Sequence, residues 1–212
     1  MKIALINENS QAAKNELICK TLKSVVEPMG HEVLNFGMYT AEDDTQLTYV
    51  MNGLLAAILL NSKAVDFVVT GCGTGQGAML ALNSFPGVLC GHITDPTDAY
   101  LFAQVNNGNA VAMPFAQNFG WGAELNLQYT FEKLFSGEFG LGYPRERAVP
   151  EQRNKKILDQ VKEITHQDIM TVLKNIDQDF LKTAVSGEKF TDLFFPNCQV
   201  PEIAAYIKNV LA

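Results

Sequence analysis

Five short apolar runs, each followed by a stretch of helical period, set the limits on what this chain can fold into. "KIALIN" (2–7), "HEVLNFG" (31–37), "VDFVVTG" (65–71), "GVLCGHI" (87–93) and "NAVAMP" (109–114) read as strands. Helical patterns lie between and after them, near 11–29, 42–62, 75–84, 95–106 and 118–136. Strands that are apolar on both faces and alternate with helices form a parallel sheet covered on both sides. The expected fold is therefore α/β, a Rossmann-like, doubly wound five-stranded parallel sheet. In such sheets ligands bind beyond the carboxyl ends of the strands. "NENS" after the first strand, "GCGTG" after the third and "PFAQN" after the fifth should then face one crevice.

The pattern changes after the fifth helix. "SGEFGLGYPRERAVP" (136–150) is rich in Gly and Pro and carries Arg145 and Arg147. From 151 the chain reads as helix again, with Ile157, Val161 and Ile164 and then Ile169, Val172 and Leu173 on one face. A last helix is expected at 201–211. This predicts a domain over 1–150 and a helical C-terminal extension over 151–212. The extension's apolar residues need a surface on the core or on a partner subunit.

Charge and cysteine usage exclude several function classes. Sixteen Lys and Arg against 23 Asp and Glu give a net charge of −7, which argues against nucleic acid or an anionic membrane as partner. The apolar stretch before Asn7 is too short for a signal peptide, and "GLLAAILL" (53–60) is far short of a membrane span. Cys19, Cys72, Cys90 and Cys198 are scattered, which indicates neither a zinc site nor a disulfide framework. His31, His92 and His166 do not pair at ligand spacing, so no metal is expected. A cytoplasmic protein without cofactor is the expectation.

The most informative loop is "GCGTGQG" (71–77). Gly73, Gly75 and Ala78 satisfy the dinucleotide pattern G-x-G-x-x-A, but after the third strand rather than the first. A nucleotide P-loop needs Lys followed by Ser or Thr, and none follows the last glycine. A plain tight turn would leave Cys72 as a small core residue. Proton-transfer chemistry is the fourth reading. Reactive thiolates are found where a strand end meets a helix amino terminus. A positioned base there can remove a proton beside a carbonyl, and the N–H groups of Gly73 to Gly77 can hold the resulting enediolate oxygen. Thr74 supplies a hydroxyl to pass a proton between oxygens. That set of groups suits an aldose–ketose isomerase.

The segment "VDFVVTGCGTGQGAMLALNSFPGV", with "NNGNAV" and "EFGLGYPRER", resembles the ribose-5-phosphate isomerase B / galactose-6-phosphate isomerase family over residues 1 to about 150. The resemblance implies a metal-free enzyme acting on a small phosphorylated sugar through a cis-enediolate. It also implies a homodimer, or a dimer of dimers, with the site near the subunit interface. Cys72 would be the base and Thr74 the hydroxyl shuttle. Glu8, Asn9, Gly73, Gly75, Gln76, Gly77, Asn106, Arg145 and Arg147 would bind substrate. Tyr49 falls near a tyrosine that lines the family's sugar pocket.

The chain departs from that family at the groups that open and grip the sugar. Glu8 and Asn9 stand where the family carries Asp-His, and they also suit a helix cap. Val105 precedes Asn106 where a ring-opening His is usual, and Ala116 and Tyr143 replace two phosphate-binding arginines. A substrate already open when it binds, such as a tetrulose phosphate, fits these losses. The competing expectation is a non-catalytic or partner-dependent sugar-phosphate-binding subunit. A nucleotide-binding oxidoreductase is the third.

Overall fold

The computed structural model describes residues 1–212, apart from the side chain of Glu188. Its centre is a parallel sheet of five strands, β1 (Lys2–Ile6), β2 (Glu32–Asn35), β3 (Phe67–Cys72), β4 (Cys90–His92) and β5 (Ala110–Pro114). Their spatial order is β2-β1-β3-β5-β4, which places β3 in the middle. Alternation within each strand divides the core in two. Ala4 and Ile6 of β1, with Val68 and Cys72 of β3, join one buried cluster, whereas Ile3, Leu5, Phe67 and Val69 join the other. The doubly wound expectation holds.

Helices α1 (Asn15–Val26), α4 (Pro96–Leu101) and α5 (Ala123–Leu134) cover the second face. Helices α2 (Tyr49–Asn61) and α3 (Gln76–Asn83) cover the first. The expected helices are shorter than their sequence patterns, most clearly at α1, α2 and α4. A 3-10 turn (Asn9–Lys14) precedes α1, and a π-type turn (Phe102–Asn106) follows α4 and ends at Asn107, φ 47°. Before α2, Asp43 accepts hydrogen bonds from the backbones of Tyr39 and Thr40 and from the Thr40 hydroxyl. Such local side-chain bonds compete with helix, so α2 begins only where Thr48 caps it by accepting from the Met51 N–H.

The tail forms α6 (Ala148–Thr165), α7 (Ile169–Asn175), α8 (Gln178–Val185), α9 (Glu188–Asn197) and α10 (Pro201–Leu211). The expected apolar stripe breaks at this level. Helix α6 stops at Thr165, and Asp168 caps α7 by accepting from the Thr171 N–H. Leu173, Leu181, Phe190, Phe194, Ile203 and Ile207 are buried in the same cluster as Leu54, Leu55 and Ile58 of α2. Each such side chain contributes roughly 1.5–3 kcal/mol by leaving water. This explains α2, whose residues Asn52 to Leu59 are all buried: a helix apolar all round needs a layer on each side. Helix α6 behaves differently. It buries no residue fully, and Ile157, Val161 and Ile164 stay exposed. Among the described residues no helix is long and apolar enough to cross a membrane.

Candidate active site

Loops following β1, β3 and β5 meet at the carboxyl end of the sheet. Cys72 is the last residue of β3, and its carbonyl accepts from the Phe115 N–H at 2.9 Å. The Ala116 N–H likewise donates to the Gly73 carbonyl at 2.9 Å. From the β1 side, Lys14 donates to Gln11 Oε1 at 2.8 Å and to the Phe115 carbonyl, and its ammonium lies 4.6 Å from the centre of the Phe119 ring. Burial holds the Lys14 pKa below its ordinary value. These bonds hold the three loops together at that end of the sheet.

Cys72 is a free thiol, 9% exposed, on the α2/α3 side of the sheet. Thr74 is exposed, and its Oγ1 accepts from the Gln76 N–H at 3.3 Å. The hydroxyl hydrogen therefore remains available to donate. Gly75 caps α3 with φ 76°, a left-handed conformation that any side chain would strain. A β-carbon at 75 would also lie 2.8 Å from the His92 ring and from the Met113 carbonyl carbon. Among the described residues no acceptor meets the N–H groups of Gly73, Thr74, Gly75 or Gly77. Gln76 is exposed beside them, and the Tyr49 ring lies over Gly77, 3.4 Å from where a β-carbon would stand. The loop is a cluster of free donors next to a thiol.

The other expected residues are placed less uniformly. Glu8 is buried, and its two carboxylate oxygens accept from the Ser10 N–H at 2.9 Å and the Ser10 hydroxyl at 2.6 Å. It caps the 3-10 turn, because its carboxylate at the N-cap captures the free N–H and the hydroxyl of Ser10. Asn9 is exposed, tied by its N–H to the Leu47 carbonyl at 2.7 Å. Asn106 lies on the π-type turn, along a groove of about 470 Å³ that also holds Met79, His92, Asp98 and Leu158. Arg145 and Arg147 sit exposed on a 3-10 turn that leads directly into α6. Nothing within one chain brings either arginine to the Cys72 loop. A larger cavity, about 840 Å³, lies under α6 by Met1, Asp66 and Asn109, near the amino ends of the strands and away from these groups.

Sequence reasoning passed over several groups that the fold brings close. His92 carries no ligand spacing in the sequence, yet its Nε2 lies 2.8 Å from the Thr74 carbonyl oxygen. Beneath the loop, Asn52 donates to Thr70 Oγ1 at 3.2 Å, and Thr70 donates to the Ile6 carbonyl at 2.6 Å. The Oδ1 atoms of Asn52 and Asn7 are buried there without a partner among the described residues. Two asparagines at strand and helix termini carry no sequence signal for this. Tyr39, pushed up to about 12 mainly by burial, donates to the Asn35 carbonyl at 2.6 Å. Burial also pushes the Cys90 thiol up, on β4 and two strands from Cys72.

The sheet order and its two helical layers define a Rossmann-like α/β fold, and the comparisons with known proteins make the chain an aldose–ketose isomerase. Residues 3–137 match a family described as Ribose/Galactose Isomerase, and residues 164–210 match one described as Ribose-5-phosphate isomerase. The chain belongs to the Ribose/Galactose Isomerase family. A solved 4-deoxy-L-threo-5-hexosulose-uronate ketol-isomerase, complexed with a tartrate, is 66% identical with a TM-score of 0.98, covering 100% of this chain and 99% of that one. A ribose-5-phosphate isomerase from Vibrio parahaemolyticus is 55% identical with a TM-score of 0.96, again covering 100% and 99%. A ribose 5-phosphate isomerase from Thermotoga maritima is 26% identical with a TM-score of 0.55, covering 75% of this chain and 97% of that one.

Proposed function

We propose that this chain isomerises an open-chain, anion-bearing sugar derivative, with Cys72 as the base. The observation that carries the reading is the cluster of unpaired N–H groups at Gly73, Thr74 and Gly75 beside the Cys72 thiol. In the aldose-to-ketose direction, the Cys72 thiolate takes the proton from C2 as the C1–C2 double bond forms. The negative charge moves to the O1 oxygen, where the loop N–H groups stabilise it. The Thr74 hydroxyl passes the O2 proton to O1, and Cys72 returns its proton to C1. The product is the 2-ketose, and no electron leaves the substrate.

Missing ring-opening chemistry supports the open chain. Val105 moves no proton, and Asn9 is no acid or base near pH 7. Tetrose and tetrulose phosphates meet that requirement, because an esterified end hydroxyl cannot close a five-membered ring. A hexosulose uronate with its carbonyls open meets it as well, and the 66% identical ketol-isomerase is named for such a compound. Ala116 in place of an arginine favours a carboxylate over a phosphate dianion. We therefore rank the uronate first and the four-carbon phosphates second.

Assembly as a homodimer belongs to this proposal. The exposed apolar residues of α6 and the remote arginines are what a partner-dependent site would leave in a single chain. The test is solvent-deuterium incorporation into 4-deoxy-L-threo-5-hexosulose-uronate, erythrulose 4-phosphate, ribose 5-phosphate and galactose 6-phosphate. Deuterium should enter at the carbon beside the carbonyl of the uronate or the tetrulose phosphate. Faster exchange into ribose 5-phosphate or galactose 6-phosphate would overturn the open-chain reading.

A further inference from the structure

The Thr74 carbonyl faces Nε2 of His92 at 2.8 Å. A carbonyl oxygen only accepts, so Nε2 carries the hydrogen, whether the imidazole is neutral or charged. The peptide joining Thr74 to Gly75 is trans, and in a planar trans peptide the C=O and N–H point in opposite directions. With its C=O held on His92, the peptide turns the Gly75 N–H away from that ring. Among the described residues nothing accepts from this N–H.

Two further features make His92 a firm anchor. Its backbone is fixed in β4, paired with Ala112 of β5, and the next residue, Ile93, donates to the Ala112 carbonyl at 3.1 Å. Its ring also lies against Gly75, where a β-carbon would stand 2.8 Å from both Cδ2 and Nε2. Glycine at 75 admits the ring, but it also leaves the peptide plane free to rotate if nothing holds it. A rotated plane would turn the Thr74 oxygen toward the crevice, where it would repel a developing oxyanion.

We propose that His92 is a positioning residue that keeps the Gly75 N–H aimed into the crevice, so that the anion hole is formed before substrate arrives. The proposal rests on the reading of this loop as an anion hole. The imidazole does not touch the reacting atoms. It acts through the peptide between Thr74 and Gly75. A donor aimed before reaction stabilises charge that develops only in the transition state, so its loss lowers kcat more than it changes KM.

The experiment compares His92→Phe, which keeps a ring and removes the donor, with His92→Gln, which keeps a donor at similar reach. A crystal structure of His92→Phe reads the peptide directly and needs no substrate. The Thr74 carbonyl should have rotated, and an unchanged orientation would overturn the proposal. With 4-deoxy-L-threo-5-hexosulose-uronate or erythrulose 4-phosphate as substrate, kcat of His92→Phe should fall at least tenfold, toward the roughly hundredfold cost of one lost oxyanion donor. KM should stay within about threefold, as expected for a donor used only in the transition state. His92→Gln should recover most of the rate. Equal losses in both variants, or wild-type kcat in His92→Phe, would leave His92 a packing residue only. Cys72→Ala, run alongside, separates the two ideas: full activity there removes the loop reading itself, whereas an inactive Cys72→Ala beside a fully active His92→Phe removes only the role of His92.

Discussion

The ring of Phe190, in α9, lies 5.9 Å from that of Phe36, just past β2, at an interplanar angle of 53°. This contact connects the tail to the crevice. The Asn7 N–H donates to the Gly37 carbonyl and the Met38 N–H to the Asn7 carbonyl, while the Asn9 N–H reaches the Leu47 carbonyl. The segment from Phe36 to Leu47 thus carries the loop after β1 on one side and rests on the tail on the other. Phe190→Ala removes a ring that is 2% exposed. It should cost about 3–5 kcal/mol, as Phe-to-Ala truncations in cores do, read by chemical denaturation. A loss within about 0.5 kcal/mol, the range of a surface substitution, would show that the tail does not support this segment.

Cys72→Ala should leave folding intact, since one small side chain is lost at a strand end. Isomerisation should fall by about two orders of magnitude or more, the usual contribution of a positioned base. Thr74→Val keeps the shape and removes the hydroxyl, so turnover should drop more than affinity. Steady-state kinetics on the substrate found by deuterium exchange checks both, and full activity in Cys72→Ala would sink the mechanism.

Gly73 and Gly75 separate folding from binding. A β-carbon at 73 would meet only the Ala116 Cβ, at 3.8 Å, so Gly73→Ala should melt within about 2 °C of wild type. It narrows the crevice, and KM should rise. Gly75→Val adds a branched side chain at φ 76° against His92 and Met113. It should lose both stability and turnover. Normal binding and turnover in Gly75→Val would mean that this loop is not the anion hole.

Replacing Arg145 and Arg147 by Ala asks whether a second copy completes the site. Both are exposed on the turn that leads into α6, so the change should leave the melting temperature almost unchanged. If they grip the anion of a neighbouring copy's substrate, KM should rise and its salt dependence should weaken. An unchanged KM at low salt would return them to solvated loop charges.

Val105→His tests why the ring-opening imidazole is dispensable. It should raise kcat/KM for ribose 5-phosphate, a ring-forming substrate, and leave the open-chain uronate unaffected. Wild-type preference for ribose 5-phosphate by a clear margin would show that another residue opens the ring.

Much of the architecture was legible because local chemistry determined it. The five apolar runs and their intervening helices specify a parallel sheet with two covered faces, and "GTG" marks the loop that follows the third strand. "PEIAAYIKNVL" reads as the last helix and forms it, with proline at its first turn. What only the tertiary structure decided depends on partners distant in sequence. The even hydrophobicity of "GLLAAILL" says that α2 is buried but not that the tail covers it. Glu8 has the chemistry of a binding carboxylate, and its proximity to Ser10 makes it a cap. Ile157, Val161 and Ile164 carry the same helical period as Leu173, yet the bend after Thr165 leaves them exposed. His92 lies eighteen positions from Thr74, on another strand, and no spacing rule joins the two. Their hydrogen bond exists because β5 lies between β3 and β4 and brings both strand ends to one edge of the crevice.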